Sequence, residues 1–163
     1  MATIVYLALG SNLGDRAALI TAATAALHDD GLVSGLVMSP LYETDAVAEE
    51  PQPAYLNAVV RGATTLPAPH LLAGCLAIET RLGRVRPVGV AKAPRVIDLD
   101  LLLFGNAIIH APPTLVVPHP ALLQRPFVTI PLADVALPGL AHPSTGADLT
   151  IASSSPTVRR WSG

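Results

Sequence analysis

The sequence predicts an α+β domain in which strands and helices follow the order β-α-β-β-α-β, with short elements added at the C-terminal side. Its 163 residues are 51% apolar and 13% charged, enough for one domain with a sizeable core and too charge-poor for disorder. Apolar, β-prone segments are separated by two stretches whose apolar residues recur at helical spacing. No internal repeat or shift in composition marks a second unit, so one domain spanning residues 1–163 is expected. The element order is the split βαβ pattern of ferredoxin-like folds, here expected to carry an extended, mainly antiparallel sheet.

Residues 3–9 form an apolar run that reads as a buried strand and ends at Gly10-Ser11-Asn12. Asp15 is placed to cap a helix whose positions Leu19, Ile20, Ala23 and Leu27 lie on one side. Residues 32–42 alternate as a second strand. Residues 44–53, with Asp45, Glu49, Glu50, Pro51 and Pro53, read as an exposed loop before a strand over 55–64. Prolines near the first turn and Gly83 at the end bracket a helix over 66–82. Residues 83–94 lack apolar periodicity and hold Arg84, Arg86 and Lys92 among glycines and prolines, so a mobile basic loop is expected. A strand over 96–104 follows, then a short strand at 107–110 and short helices at 121–124 and 127–135. Beyond Pro138 the Ser-, Thr- and Pro-rich tail reads as one last short element and a frayed end.

Net charge −2 and a pI near 6.2 argue against a general nucleic-acid binder. Cys75, the only cysteine, excludes an intramolecular disulfide and sits in an apolar helical pattern as a core thiol. No apolar stretch approaches the roughly 20 residues that span a bilayer. The first residues run into a strand with no basic leader, so a cytoplasmic protein is expected. His28, His70, His110 and His142 have no companion ligands and read as surface or structural residues.

The chemistry concentrates at Pro94-Arg95-Val96-Ile97-Asp98-Leu99-Asp100-Leu101. In a strand Asp98 and Asp100 share a face, while Ile97, Leu99 and Leu101 take the other. Two adjacent carboxylates suit Mg²⁺, which completes its shell with water and phosphate oxygens. A solvated edge strand fits the same pattern equally well. Arg84, Arg86 and Arg95 precede the pair, and His119 and Arg125 follow it. Carboxylates beside an arginine-bearing arm suit phosphoryl transfer, in which metal and guanidinium groups neutralise developing charge. No Gly-x-x-x-x-Gly-Lys-Ser/Thr loop is present in the sequence, and Gly10-Ser11-Asn12-Leu13-Gly14 reads as a strand-to-helix turn. Tyr55 and Phe127 adjoin polar segments, where they could stack on a flat heterocycle or pack in the core.

Six stretches carry a more specific likeness. They are Leu9-Gly10-Ser11-Asn12-Leu13-Gly14-Asp15, Ser39-Pro40-Leu41-Tyr42-Glu43-Thr44, Tyr55-Leu56-Asn57-Ala58, Glu79-x-x-x-Gly83-Arg84-Val85-Arg86, Pro94-Arg95-x-x-Asp98-Leu99-Asp100 and Val117-Pro118-His119-Pro120, with Arg125-x-Phe127 downstream. In this order and spacing the chain resembles the 6-hydroxymethyl-7,8-dihydropterin pyrophosphokinases of folate biosynthesis over nearly its whole length. The resemblance implies transfer of the β,γ-pyrophosphoryl group of ATP to the pterin hydroxymethyl oxygen, with release of AMP. It assigns two Mg²⁺ ions to Asp98 and Asp100, and assistance to the transferring group to Arg84 and Arg95. Arg86 would support loop closure. Glu79, Leu101, His119 and Arg125 would adjoin the nucleotide. Tyr55 and Phe127 would flank the pterin ring, Thr44 and Asn57 would hydrogen-bond its rim, and Val47 would add an apolar contact.

The sequence departs from that pattern at Ala91-Lys92-Ala93, where the family usually has a polar residue followed by Trp-Gly. Asp45 stands where a proline is common, and Val116 where a hydroxyl is common. A pterin- and ATP-binding relative with weak turnover is therefore the alternative, and a structural ferredoxin-like domain a third. ATP and the pterin are the expected partners of a monomer, with no nucleic acid or membrane.

Overall fold

Strand β1 (Thr3–Ser11) is paired on both sides, with β4 (Tyr55–Thr64) and with β5 (Asp98–Phe104), antiparallel in each case. The computed structural model describes residues 1–46, 51–83, 96–151 and 154–163. Among these, the sheet runs β5-β1-β4-β3-β8, with β2 also on β4. The single strand expected over 32–42 arrives in two pieces, β2 (Ser34–Met38) and β3 (Tyr42–Thr44), on opposite halves of β4. Pro40 has no N–H for a ladder. The break is bridged by Ser39, whose N–H donates to the Val59 carbonyl at 2.9 Å and whose Oγ accepts from the Val59 N–H at 3.0 Å.

Helices α1 (Arg16–Asp29) and α2 (Ala68–Arg81) cover one face. Asp15 caps α1 as expected, its carboxylate accepting from the Ala18 N–H at 3.2 Å. Ile20, Ala23, Ala26 and Leu27 form the buried stripe of α1, and Leu71, Cys75 and Ile78 that of α2. They pack on Val5, Leu7, Leu9, Leu56, Ala58, Val60, Leu99 and Leu101. Each such burial stabilises the fold by about 1.5–3 kcal/mol for a Val or Leu side chain. Burial pushes the Cys75 thiol up to about 12, with the Glu79 and Asp100 carboxylates adding to the shift, so it is an inert core group.

The other face is covered by α3 (Pro126–Val135), which packs Val128, Leu132 and Val135 on Tyr6, Val59, Leu102 and Leu103. A bulge makes this second core. Tyr6 faces Leu103 and Leu7 faces Leu101, so Leu102 is an extra residue and the alternation of β5 switches beyond it.

The C-terminal side corrects two expectations. The short strand at 107–110 is instead β6 (Ile109–Ala111), paired with β7 (Leu115–Val117). The last short element expected in the tail is β8 (Val158–Arg160), which pairs with β3; the end after it is held, since the Trp161 N–H donates to the Leu41 carbonyl at 2.9 Å and its side chain packs against the first core. The short helices stand near their expected positions, a 3₁₀ turn at Leu122–Gln124 and then α3. The expected basic loop lies outside the described residues. His142 is buried, and its Nδ1 accepts from the Ser144 and Thr145 N–H groups, as a structural histidine would.

Candidate functional site

Three neighbouring strands lay the floor of the site. Gly10 on β1 stands opposite Asn57 on β4 and Asp98 on β5, and Ala8 stands opposite Val59 and Asp100. Directly opposed residues share a face. Asn57, Asp98 and Asp100 therefore rise from one surface with only a glycine and an alanine between them. A Cβ on Gly10 would come within 3.5 Å of Asn57 Oδ1 and 3.7 Å of the Tyr55 ring, so glycine keeps that space open.

Above this floor lies a pocket of about 630 Å³ lined by Asp98, Asp100, His119, Arg125, Phe127, Thr44, Tyr55 and Asn57. Eight residues singled out from sequence thus meet in one cavity. At the usual strand spacing of about 4.8 Å, β5 and β3 lie about 14 Å apart, which separates the carboxylates from Thr44. Among the described residues β5 is an edge strand, as one reading of the aspartates required, yet both of them line the cavity.

The polar groups are oriented by local bonds. Asn57 Nδ2 donates to Thr44 Oγ1 at 3.2 Å and to the Tyr42 carbonyl at 3.5 Å. With Nδ2 so engaged, the Oδ1 acceptor turns toward Gly10 and the cavity. Desolvation holds His119 below the usual histidine range, against the pull of Asp100, and Arg125 lowers it further. The His119 Nδ1 accepts from the Ala121 N–H at 3.1 Å, so the proton resides on Nε2 as a donor. The His119 backbone N–H donates to the Leu102 carbonyl at 2.9 Å and ties this segment to β5. The Arg125 guanidinium lies 5.7 Å from the Phe127 ring centre, within cation–π range.

Two expected nucleotide contacts stand apart from the pocket. Glu79 is buried on α2, and its carboxylate accepts from the Leu99 N–H at 2.7 Å. It thereby satisfies the outer edge of β5 at the residue between the two aspartates. Leu101 is buried in the core on the helix-covered face, as strand alternation requires. Val47, Arg84, Arg86 and Arg95 lie outside the described residues.

The pocket also includes residues not singled out as binding groups. Gly10 and Ala8 form its floor, and Asp45, Gln52 and Thr157 its wall. Gly10 lay within a quoted stretch, but its value is the absence of a side chain. Gln52 is held by Asn12, whose Nδ2 donates to Gln52 Oε1 at 3.3 Å and to the Pro53 carbonyl at 3.1 Å. Thr157 comes from the tail, where no pattern marked a site.

Among the described residues no group of three or more His, Cys, Asp or Glu is placed to hold a metal ion. The carboxylate pair fits Mg²⁺ in the way that ion prefers, one or two protein carboxylates with water and phosphate oxygens supplying the rest.

The model of the family 7,8-dihydro-6-hydroxymethylpterin-pyrophosphokinase matches residues 6–137. The chain belongs to this family. It is 43% identical over 135 residues to the 2-amino-4-hydroxy-6-hydroxymethyldihydropteridine pyrophosphokinase of Bacillus subtilis, covering 83% of this chain and 79% of that protein. It is 42% identical over 149 residues to the folic acid synthesis protein fol1 of Pneumocystis carinii, covering 91% of this chain and 19% of fol1. The chain thus spans about a fifth of that longer relative and about four fifths of the bacterial one. A solved HPPK-DHPS chain, crystallised in complex with substrates, superposes with a TM-score of 0.67 at 14% identity, over 91% of this chain and 42% of that one. At that identity the likeness concerns the fold.

Proposed function

We propose that this chain is a 6-hydroxymethyl-7,8-dihydropterin pyrophosphokinase, transferring the β,γ-pyrophosphoryl group of ATP to the pterin hydroxymethyl oxygen in folate biosynthesis. One observation carries the proposal: a single cavity joins a carboxylate pair on β5 to an aromatic and amide rim on β3 and β4. The reaction breaks the bond between the β-phosphorus and the oxygen bridging to the α-phosphate. A bond from the hydroxymethyl oxygen to the β-phosphorus replaces it, the hydroxyl proton is released, and AMP leaves.

Asp98 and Asp100 would hold two Mg²⁺ ions, whose chemistry is to neutralise and polarise the triphosphate. His119 Nε2–H and the Arg125 guanidinium offer donors for phosphate oxygens. Tyr55 and Phe127 border the slot for the pterin ring, and Asn57 Oδ1 would accept from its N–H edge while Thr44 holds the amide in place. Arg84 and Arg95 would stabilise the transferring group and Arg86 loop closure, with Val47 against the ring; Glu79 and Leu101 would support the nucleotide end by fixing β5. We read β1 through β5 as a ferredoxin-like core, supported by the antiparallel order β5-β1-β4 with β2 and β3 on the far side of β4. One domain over residues 1–163, a cytoplasmic location and a monomeric state belong to the same proposal. No helix among the described residues is long and apolar enough to cross a membrane.

The test is ³¹P NMR of the chain with ATP, Mg²⁺ and 6-hydroxymethyl-7,8-dihydropterin. A pterin-linked pair of coupled phosphorus signals rising with AMP is expected. Release of ADP or inorganic phosphate in place of AMP would contradict the proposal, and pterin binding with no new signals would favour the turnover-deficient relative.

A further inference from the structure

The matched family region ends at residue 137, yet the tail beyond it returns to the pocket. β8 pairs with β3 in the register Tyr42 to Arg160, Glu43 to Arg159 and Thr44 to Val158. Thr157, the residue before this strand, lines the cavity together with Thr44, Asp45 and Ala46. One nitrogen of Arg159 lies 3.1 Å from Asp45 Oδ1 and 3.3 Å from Glu43 Oε1. The other oxygen of Glu43 accepts from Arg16 at 2.7 Å, and the same Arg16 nitrogen donates to the Ala54 carbonyl at 2.9 Å.

This chain of contacts brackets the Thr44–Ala46 wall from both sides. Arg16 ties Glu43 to the start of β4, where Tyr55 stands, and Arg159 ties it to the tail. Asp45 is otherwise solvent-facing, with 85% of its side chain exposed. Past the last ladder pair of β3, Arg159 is the side-chain partner of Asp45 among the described residues. Trp161 anchors the other end of β8 through the Leu41 carbonyl and the first core.

We infer that the C-terminal strand is a working wall of the substrate pocket, with Arg159 a positioning residue that sets the Thr44–Ala46 segment for the heterocycle. The inference rests on the pterin reading of the pocket. The effect belongs to the ring end of the cavity, because β8 lies beyond β3 while the carboxylates stand on β5 at the far side of the sheet. Arg159 reaches both acids through one nitrogen, so a lysine ammonium could replace it.

The experiment measures KM for pterin, KM for ATP and kcat for wild type, Arg159→Ala and Arg159→Lys. Arg159→Ala is expected to raise the pterin KM about five-fold, the scale of one exposed ion-pair network. ATP KM and kcat should stay within about two-fold and the lysine variant should recover most of the loss. Thr157→Trp, which narrows the same end from the residue before β8, should raise the pterin KM as well. An unchanged pterin KM in Arg159→Ala, or an equal loss in ATP KM and kcat, would overturn the inference. A wild-type chain that forms no AMP with pterin present would instead overturn the reading of function, and the inference with it.

Discussion

Asp98 and Asp100 differ from a solvated acidic pair in their surroundings. They stand on an edge strand, but a histidine segment is tied across that edge at Leu102, Glu79 closes it at Leu99, and both aspartates line the cavity. Asp98→Asn or Asp100→Asn is expected to cut turnover by more than the roughly 10–100-fold that loss of a supporting partner costs a metal site. Initial rates of AMP formation at varied Mg²⁺ check this, with circular dichroism unchanged. Glu43 supplies a pH prediction. Arg16 first, and Arg159 after it, hold its carboxyl below the usual range, against the opposing effect of burial. A depressed carboxylate stabilises the fold above its unfolded pKa, and that stability is lost as pH falls through the folded value. Glu43→Gln should therefore be less stable than wild type at pH 7 by about 1 kcal/mol, with the gap closing on acidification. Denaturant melts at pH 7 and pH 3 measure it.

Helix α3 brings Phe127 to the pocket and is fixed to the sheet near its other end. Tyr42 Oη donates to Asp134 Oδ2 at 2.5 Å, Arg61 donates to the Val135 carbonyl at 2.6 Å, and the Leu137 N–H donates to Tyr6 Oη at 3.0 Å. Burial, and then the Asp134 bond, push the Tyr42 phenol up to about 12. Tyr42→Phe is expected to lower stability by about 1.5–3 kcal/mol, the net value of a hydrogen bond to a charged group. A response of similar size is expected where β2 pairs with β4. A Cβ on Gly62 would sit 2.3 Å from Val33 Cγ1 and 2.9 Å from the Ser34 carbonyl. Gly62→Ala should cost about 1–3 kcal/mol by overpacking, read as a lower Tm.

The long elements were legible because each carried its own period. β1 and β4 are apolar on both faces, α1 has an Asp cap and a stripe, and β5 announces its two faces by alternating Asp and Leu. The split at Ser39-Pro40 was legible in principle, since a proline cannot join the ladder. The tail was not. A three-residue edge strand among Ser, Thr and Pro has no period of its own, and its pairing with β3 depends on a partner more than a hundred residues away. The candidate site was legible as residue types near Asp98. The floor was harder to see, because Gly10 and Ala8 act by what they lack, and Leu101 and Glu79 adjoin the aspartates in space while serving the core and the strand edge.

One pocket joins the end of the sheet where phosphates and metal would sit to the end where the heterocycle would lie. Both ends must act in one turnover. The most direct measurement is therefore AMP formation by the wild-type chain in ATP and Mg²⁺, with and without 6-hydroxymethyl-7,8-dihydropterin, and by Asp100→Asn alongside. The expected result is AMP that appears only with the pterin and is lost in the variant. AMP that forms at the same rate without pterin, or persists undiminished in Asp100→Asn, would contradict it.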